Sequence, residues 1–189
     1  MINKTIKPFN YLGYYNIDSI LKKIDSLDWN GYTNRQEIRY GMQDTETVPI
    51  IWEEKFKFQK SWNNLEVFSD EVDFFKDELT KHFGEGILMT CVLTKLPKQK
   101  NIDWHYDCGS FFNNSHRIHI PIITNDDVIF KIGDEEKNMK VGEMWEINNN
   151  NLRHGVFNNG NNDRIHLMFD WLKEYTCIDG NFTYKNNNK

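Results

Sequence analysis

The sequence predicts an all-β core of antiparallel-sandwich or jelly-roll type with N-terminal helices. Three observations predict it: short β-rich runs fill the chain from Gly86 onward, turn-forming clusters separate them, and helical periodicity is confined to the first 84 residues. With 189 residues, 39% of them hydrophobic and 14% aromatic, the chain supports one sizeable core rather than two. The expected organisation is a single domain, 1–189, with helical and extended support in 1–84, the jelly-roll core in 85–172, and a C-terminal strand and frayed tail in 173–189.

From residue 16 to 29, Ile17, Ile20, Leu21, Ile24 and Leu27 recur at three- and four-residue intervals, which predicts an amphipathic helix capped by Asn16 or Asp18. A second helix is expected over residues 66–83, with Val67, Val72, Phe75, Leu79 and Phe83 as its apolar stripe and Gly84 as its terminator. Between them, alternation around Glu37 to Tyr40 and Val48 to Trp52 suggests short strands or an extended segment. Core strands are expected over 87–96, 102–107, 117–123, 128–132, 143–147, 154–157 and 164–172. Clusters such as Asn113-Asn114, Asn125-Asp126-Asp127, Gly133-Asp134, the run 148–151 and Asn158-Asn159-Gly160 supply the turns. One further strand, 181–184, precedes the polar tail.

The formal net charge of -5 argues against a surface built to neutralise phosphates, so no nucleic-acid partner is expected. The Lys95 to Lys100 cluster reads as a solvated loop. The first residues lack an apolar signal segment, and no apolar run approaches the roughly 20 residues that cross a bilayer. Cys91, Cys108 and Cys177 have no zinc-type spacing and fit free thiols in a reducing, cytoplasmic setting. Cys108 would be a buried bystander, facing away from its neighbours His105 and Asp107.

Strand alternation raises a physical question. In 117–122 the isoleucines Ile118, Ile120 and Ile122 share one face, and Arg117 and His119 share the other. The same pattern recurs after residue 163: Ile165, Leu167, Phe169 and Trp171 face one way, and Arg164, His166, Met168 and Asp170 the other. If the apolar faces pack under the helices, the arginines point into the barrel, where a bare charge is prohibitively costly. An inward arginine needs an inward anion, and a bound dicarboxylate would supply one.

His105 and Asp107 share a strand face and can reach one metal, and His154 completes a two-histidine, one-carboxylate set that leaves the opposite metal positions open. His-x-Asp alone is weak, but the twice-repeated Arg-x-His and the later histidine make the combination specific. His166 reads as a core histidine without an assigned role, His82 and His116 as surface residues, and Trp104 and Trp145 as core or pocket wall.

With those residues in hand, the stretch from Glu85 to Leu172 resembles the aspartyl/asparaginyl β-hydroxylase family of iron(II)- and 2-oxoglutarate-dependent dioxygenases, which includes bacterial proline hydroxylases. The matching segments are 105–107, 117–122, 142–149, 154–159 and 163–171. The resemblance implies a double-stranded β-helix, the cupin-like jelly roll, with His105, Asp107 and His154 on iron and Arg164 on the distal carboxylate of 2-oxoglutarate. It implies further that Arg117 and His119 contact the other end of that cosubstrate, with Thr94 assisting at the distal carboxylate. Some animal members replace the carboxylate ligand by glycine, so Asp107 places this chain nearer the bacterial branch.

The implied reaction hydroxylates an aliphatic carbon of an amino acid, free or in a peptide or protein, of Asp/Asn or Pro type. Dioxygen and 2-oxoglutarate are consumed, and succinate and carbon dioxide leave. The alternative is a non-catalytic cupin-like domain that senses a metal or 2-oxoglutarate. An amino-acid or peptide substrate is the expected partner, with no membrane.

Overall fold

The computed structural model describes residues 7–29, 44–52, 60–61, 64–107, 110–173, 175–178 and 181–184. The chain opens with strand β1 (Phe9–Tyr14), helix α1 (Asp18–Ile24), β2 (Glu46–Trp52) and the two-residue β3 (Lys60–Ser61). Helices α2 (Asn64–Val67) and α3 (Ser69–Phe83) follow, then β4 (Gly86–Leu96), β5 (Lys100–His105) and the short helix α4 (Ser110–Asn114). The remainder is β: β6 (Ser115–Ile123), β7 (Val128–Ile132), β8 (Glu135–Lys137), β9 (Glu143–Ile147), β10 (His154–Asn158), β11 (Arg164–Lys173), β12 (Tyr175–Ile178) and β13 (Asn181–Tyr184).

All strand pairs among the described residues are antiparallel, and two sheets form the jelly roll expected from the sequence. The larger has the order β1-β9-β6-β11-β4-β2-β3, and the smaller β5-β10-β7-β8. A separate hairpin joins β12 to β13. Residues before 85 therefore complete the main sheet through β1, β2 and β3 as well as supporting it.

Two apolar clusters follow from strand alternation. One lies between the large sheet and the helices, where Ile118, Ile120, Ile165, Leu167 and Phe169 meet Ile20, Phe68, Val72, Phe75 and Leu79. The other lies between the two sheets and joins Leu96 and Ile147 to Ile102, Phe130, Ile132 and Val156. Strands β6 and β11 are buried on both faces because helices cover one side and the small sheet the other. That double cover drives Arg117, His119, Arg164 and His166 inward, as alternation predicted.

Several expectations need correction. Helix α1 ends at Ile24, short of the expected residue 29, in a turn where the Ser26 and Leu27 N–H groups return to the carbonyls of Lys23 and Ile24. Its N-cap is Ile17, although Asn16 Oδ1 accepts the Asp18 N–H at 2.8 Å. The second helix breaks at Phe68, and the break shifts the phase of the apolar stripe: Val67 is 44% exposed and Phe68 only 1%. Gly84 ends α3 as expected, with φ +81, a value favoured by glycine. Strand β1 escaped notice because it sits at a sheet edge with a bulge before Gly13, and β8 because it is three polar residues.

Lys95 belongs to β4, paired with Glu46 and lying over the Trp29 ring, so it is no solvated loop residue. Cys91 is a buried free thiol, pushed up by desolvation. The alternation at Glu37 to Tyr40 and the orientation of Cys108 lie outside the described residues. No helix among the described residues is long and apolar enough to cross a membrane.

Candidate active site

Strands β5 and β10 pair so that His105 stands opposite His154, with ring centroids 4.1 Å apart. Asp107 lies just past the end of β5, where its N–H donates to the Asn149 carbonyl at 3.0 Å. The potential ligand atoms of His105, Asp107 and His154 all fall within 4.8 Å of one another. Each imidazole turns Nε2 towards the carboxylate, at 3.8 Å in both cases. The His105 ring is fixed from behind, since Nδ1 donates to the Asp103 carbonyl at 2.7 Å. The His154 Nδ1 faces the Leu152 carbonyl at 3.5 Å. Such backing contacts set the tautomer and aim the second nitrogen, as at metal-binding histidines.

Charge and burial suit a cation. Burial alone would raise Asp107, but Arg117, then His154 and Asn149, outweigh it and hold the carboxyl well below the usual range. Burial pushes His154 down to about 4, so its imidazole is neutral, the form that binds metal. His105 Nε2 is buried without a hydrogen-bond partner, a loss of roughly 1–3 kcal/mol that a metal would offset. Two imidazoles and one carboxylate on one side of a small space are the donor set of a non-haem iron(II) site.

Behind this cluster runs a small pocket that is partly open to solvent. His105, His154, His119, Thr94, Arg164 and Met168 border it, with Ile102, Phe130 and Val156 as apolar wall. Arg164 is 1% exposed and forms no ion pair among the described residues. Its Nη2 donates to His166 Nδ1 at 2.7 Å, and its Nε is buried without a partner. Burial pushes the guanidinium down to about 9, which still leaves it charged at neutral pH. Both ring nitrogens of His119 are buried without partners, and burial, reinforced by Arg164 and Arg117, keeps that ring neutral.

The two arginines differ, which the sequence reading did not anticipate. Arg117 finds its anions within the protein: Nε and Nη2 grip Asp170 at 2.8 and 2.9 Å, and Nη1 donates to Asp107. It also borders the pocket, and each of its three nitrogens already donates to one of those two carboxylates. The bound dicarboxylate inferred for both arginines is thus needed only by Arg164.

Three residues of the site went unrecognised. His166 is a buried acceptor for Arg164, with burial first and Arg164 second depressing it well below the ordinary value. Asn149 donates to Asp107 Oδ2 at 2.7 Å, and nothing in its Asn-rich turn distinguishes it from its neighbours. Asp170 carried a readable signal, an inward acid on the strand that also carries Arg164. Two further assignments fail: His116, read as a surface residue, is buried in β6 and donates to Glu146 at 2.6 Å, and Trp104, read as core or pocket wall, is 38% exposed.

The family model described as aspartyl/asparaginyl beta-hydroxylase matches residues 33–174. Among solved structures, an oxidoreductase of the 2OG-Fe(II) oxygenase family from Burkholderia pseudomallei is similar over 87% of this chain and 84% of that one, at 17% identity and TM-score 0.65. A prolyl hydroxylase in complex with a hypoxia inducible factor peptide fragment, from Trichoplax adhaerens, matches 88% of this chain and 84% of that one, at 8% identity and TM-score 0.56. A prolyl-4-hydroxylase from Pseudomonas putida matches 89% of this chain and 94% of that one, at 8% identity and TM-score 0.54. At such identities the likeness speaks for the fold alone. No curated protein matches the sequence. The family match spans most of the chain, and a His-Asp-His cluster stands where iron(II) fits: the chain belongs to the aspartyl/asparaginyl β-hydroxylase family and is a 2-oxoglutarate-dependent hydroxylase.

Proposed function

We propose that the chain hydroxylates an aliphatic carbon of an amino acid of Asp/Asn or Pro type, free or within a peptide or protein, and releases succinate and carbon dioxide. The observation that carries this reading is Arg164, a buried guanidinium without a carboxylate partner among the described residues, bordering the same pocket as His105 and His154. A charge so placed is costly until an anion arrives, which suits a dicarboxylate cosubstrate. The peptide held by the Trichoplax adhaerens prolyl hydroxylase supports including peptide-borne residues in the substrate class.

In this reading His105, Asp107 and His154 hold iron(II). Arg164 grips the distal carboxylate of 2-oxoglutarate, Thr94 borders the same pocket from the neighbouring strand, and His119 offers a neutral ring nitrogen to the cosubstrate. The bound metal, cosubstrate and dioxygen together supply the oxidising power. The protein orients these groups, balances their charge and keeps water out with Ile102, Phe130 and Val156.

The test is succinate release with iron(II), ascorbate and 2-oxoglutarate across free amino acids and short peptides, with mass spectrometry of each candidate. The expected result is succinate matched by a gain of one oxygen in one substrate, and neither in His105→Ala. Tight 2-oxoglutarate binding with no succinate for any candidate would instead indicate a sensor and overturn the reading.

A further inference from the structure

Arg117 presents all three guanidinium nitrogens to carboxylates. Nε donates to Asp170 Oδ1 at 2.8 Å, Nη2 to Asp170 Oδ2 at 2.9 Å, and Nη1 to Asp107 Oδ2. The trio is sealed from water: Asp170 is 1% exposed, and Arg117 and Asp107 are each 4% exposed. Phe112 covers the guanidinium, with Cζ 4.7 Å from the ring centroid. Strand register makes the arrangement possible, because β11 and β6 set Asp170 directly opposite Arg117 on the inward face.

Charge counting gives the trio a purpose. A buried arginine held by one carboxylate forms a neutral pair, and that carboxylate then has little charge to offer a cation. Shared between two carboxylates, the same arginine leaves one net negative charge beside His105 and His154. Asp170 takes the bidentate edge of the fork, which fixes the plane of the guanidinium and hence the direction of Nη1. Asn149 steadies the same oxygen of Asp107 from another side at 2.7 Å.

We propose that Asp170 is a positioning residue of the metal centre: it neutralises and orients Arg117, so that Arg117 fixes Asp107 without cancelling the charge Asp107 gives the metal. The inference rests on the assignment of Asp107 as a ligand. It gives Arg117 a role distinct from the cosubstrate contact that the family resemblance implied. Asp170 meets neither metal nor substrate and acts through Arg117 alone.

Asp170→Asn keeps the shape and removes the charge. Cobalt(II) titrated into metal-free protein, followed by its visible ligand-field absorption, reads the site without turnover, and near-ultraviolet circular dichroism checks the packing. Asp170→Asn is expected to bind cobalt(II) about 10–100-fold more weakly, the usual cost of an outer-shell change. Adding Arg117→Gln to that variant is expected to restore most of the affinity, because the stranded positive charge is gone. A merely structural role predicts the opposite, a double variant no better than the single.

Wild-type affinity in Asp170→Asn, or a double variant that recovers nothing, overturns the proposal. Should the single variant fail to fold, the double decides: near-wild-type cobalt(II) binding supports the charge-balance role, and lost binding sinks it. A wild-type protein that does not take up cobalt(II) overturns the ligand assignment and this inference together. Wild-type uptake with an unaffected Asp170→Asn overturns this inference alone.

Discussion

Arg164 and His166, two residues apart on the inward face of β11, are joined by a hydrogen bond of 2.7 Å from Nη2 to Nδ1. A guanidinium can only donate, so His166 accepts at Nδ1 and carries its proton on Nε2. Burial and the adjacent Arg164 keep the ring neutral, which the bond requires. In the proposed site His166 therefore aims the guanidinium that meets the cosubstrate.

Removing that acceptor loosens Arg164. His166→Phe is expected to raise the KM for 2-oxoglutarate about tenfold or more with a smaller effect on kcat, since a hydrogen bond to a charged group contributes roughly 1.5–3 kcal/mol. His166→Asn, whose side-chain oxygen stands near the Nδ1 position, recovers most of the loss. Steady-state kinetics with 2-oxoglutarate varied checks both, and equal KM values in the Phe and Asn variants would remove His166 from this role.

Arg164 itself trades stability for binding. Arg164→Met, similar in volume and uncharged, is expected to abolish 2-oxoglutarate binding yet stabilise the ligand-free protein by roughly 1–4 kcal/mol, because a poorly compensated buried charge is lost. Urea unfolding and calorimetric titration of 2-oxoglutarate report the two halves separately. A less stable Arg164→Met protein would mean that the guanidinium is satisfied in the ligand-free state.

Metal binding should be visible as stability. A divalent ion at 100 times its Kd adds about 2.7 kcal/mol to a protein that binds it only when folded. Manganese(II) or cobalt(II) is thus expected to raise the Tm of the wild type and to leave that of Asp107→Ala unmoved. An equal rise in both would place the metal elsewhere.

A fourth prediction concerns the helices behind the sheet. Lys23 of α1 donates to both oxygens of Glu71 in α3, at 2.6 and 2.7 Å. Burial pushes the Glu71 carboxyl up, but hydrogen bonds from Lys23 and Ser19 outweigh this and leave it below its ordinary value. A depressed carboxyl stabilises the fold above its unfolded pKa, and that contribution disappears as the pH falls through the folded value. Glu71→Gln is expected to cost roughly 1 kcal/mol at neutral pH, after allowance for the partly exposed Lys23, and to narrow its gap from wild type in acid. Denaturant melts at neutral pH and near pH 3 measure the difference, and a gap that does not shrink on acidification would contradict it.

The sequence by itself determined which side chains face inward. A strand's side chains alternate whatever it pairs with, so Arg117, His119, Arg164 and His166 opposite rows of isoleucine and leucine were legible before any fold was known. The His-x-Asp pair beside a strand and the later His154 were legible for the same local reason. Which inward groups meet was decided only by tertiary structure, because pairing depends on register and on bulges such as the one between Ile165 and His166. That register gave Arg117 its carboxylate in Asp170, brought Asn149 from a distant turn onto Asp107, and left Arg164 facing the pocket with a neutral histidine for company. The same dependence hid the break at Phe68 and the burial of His116, since both are set by what packs above them rather than by their own neighbours in sequence.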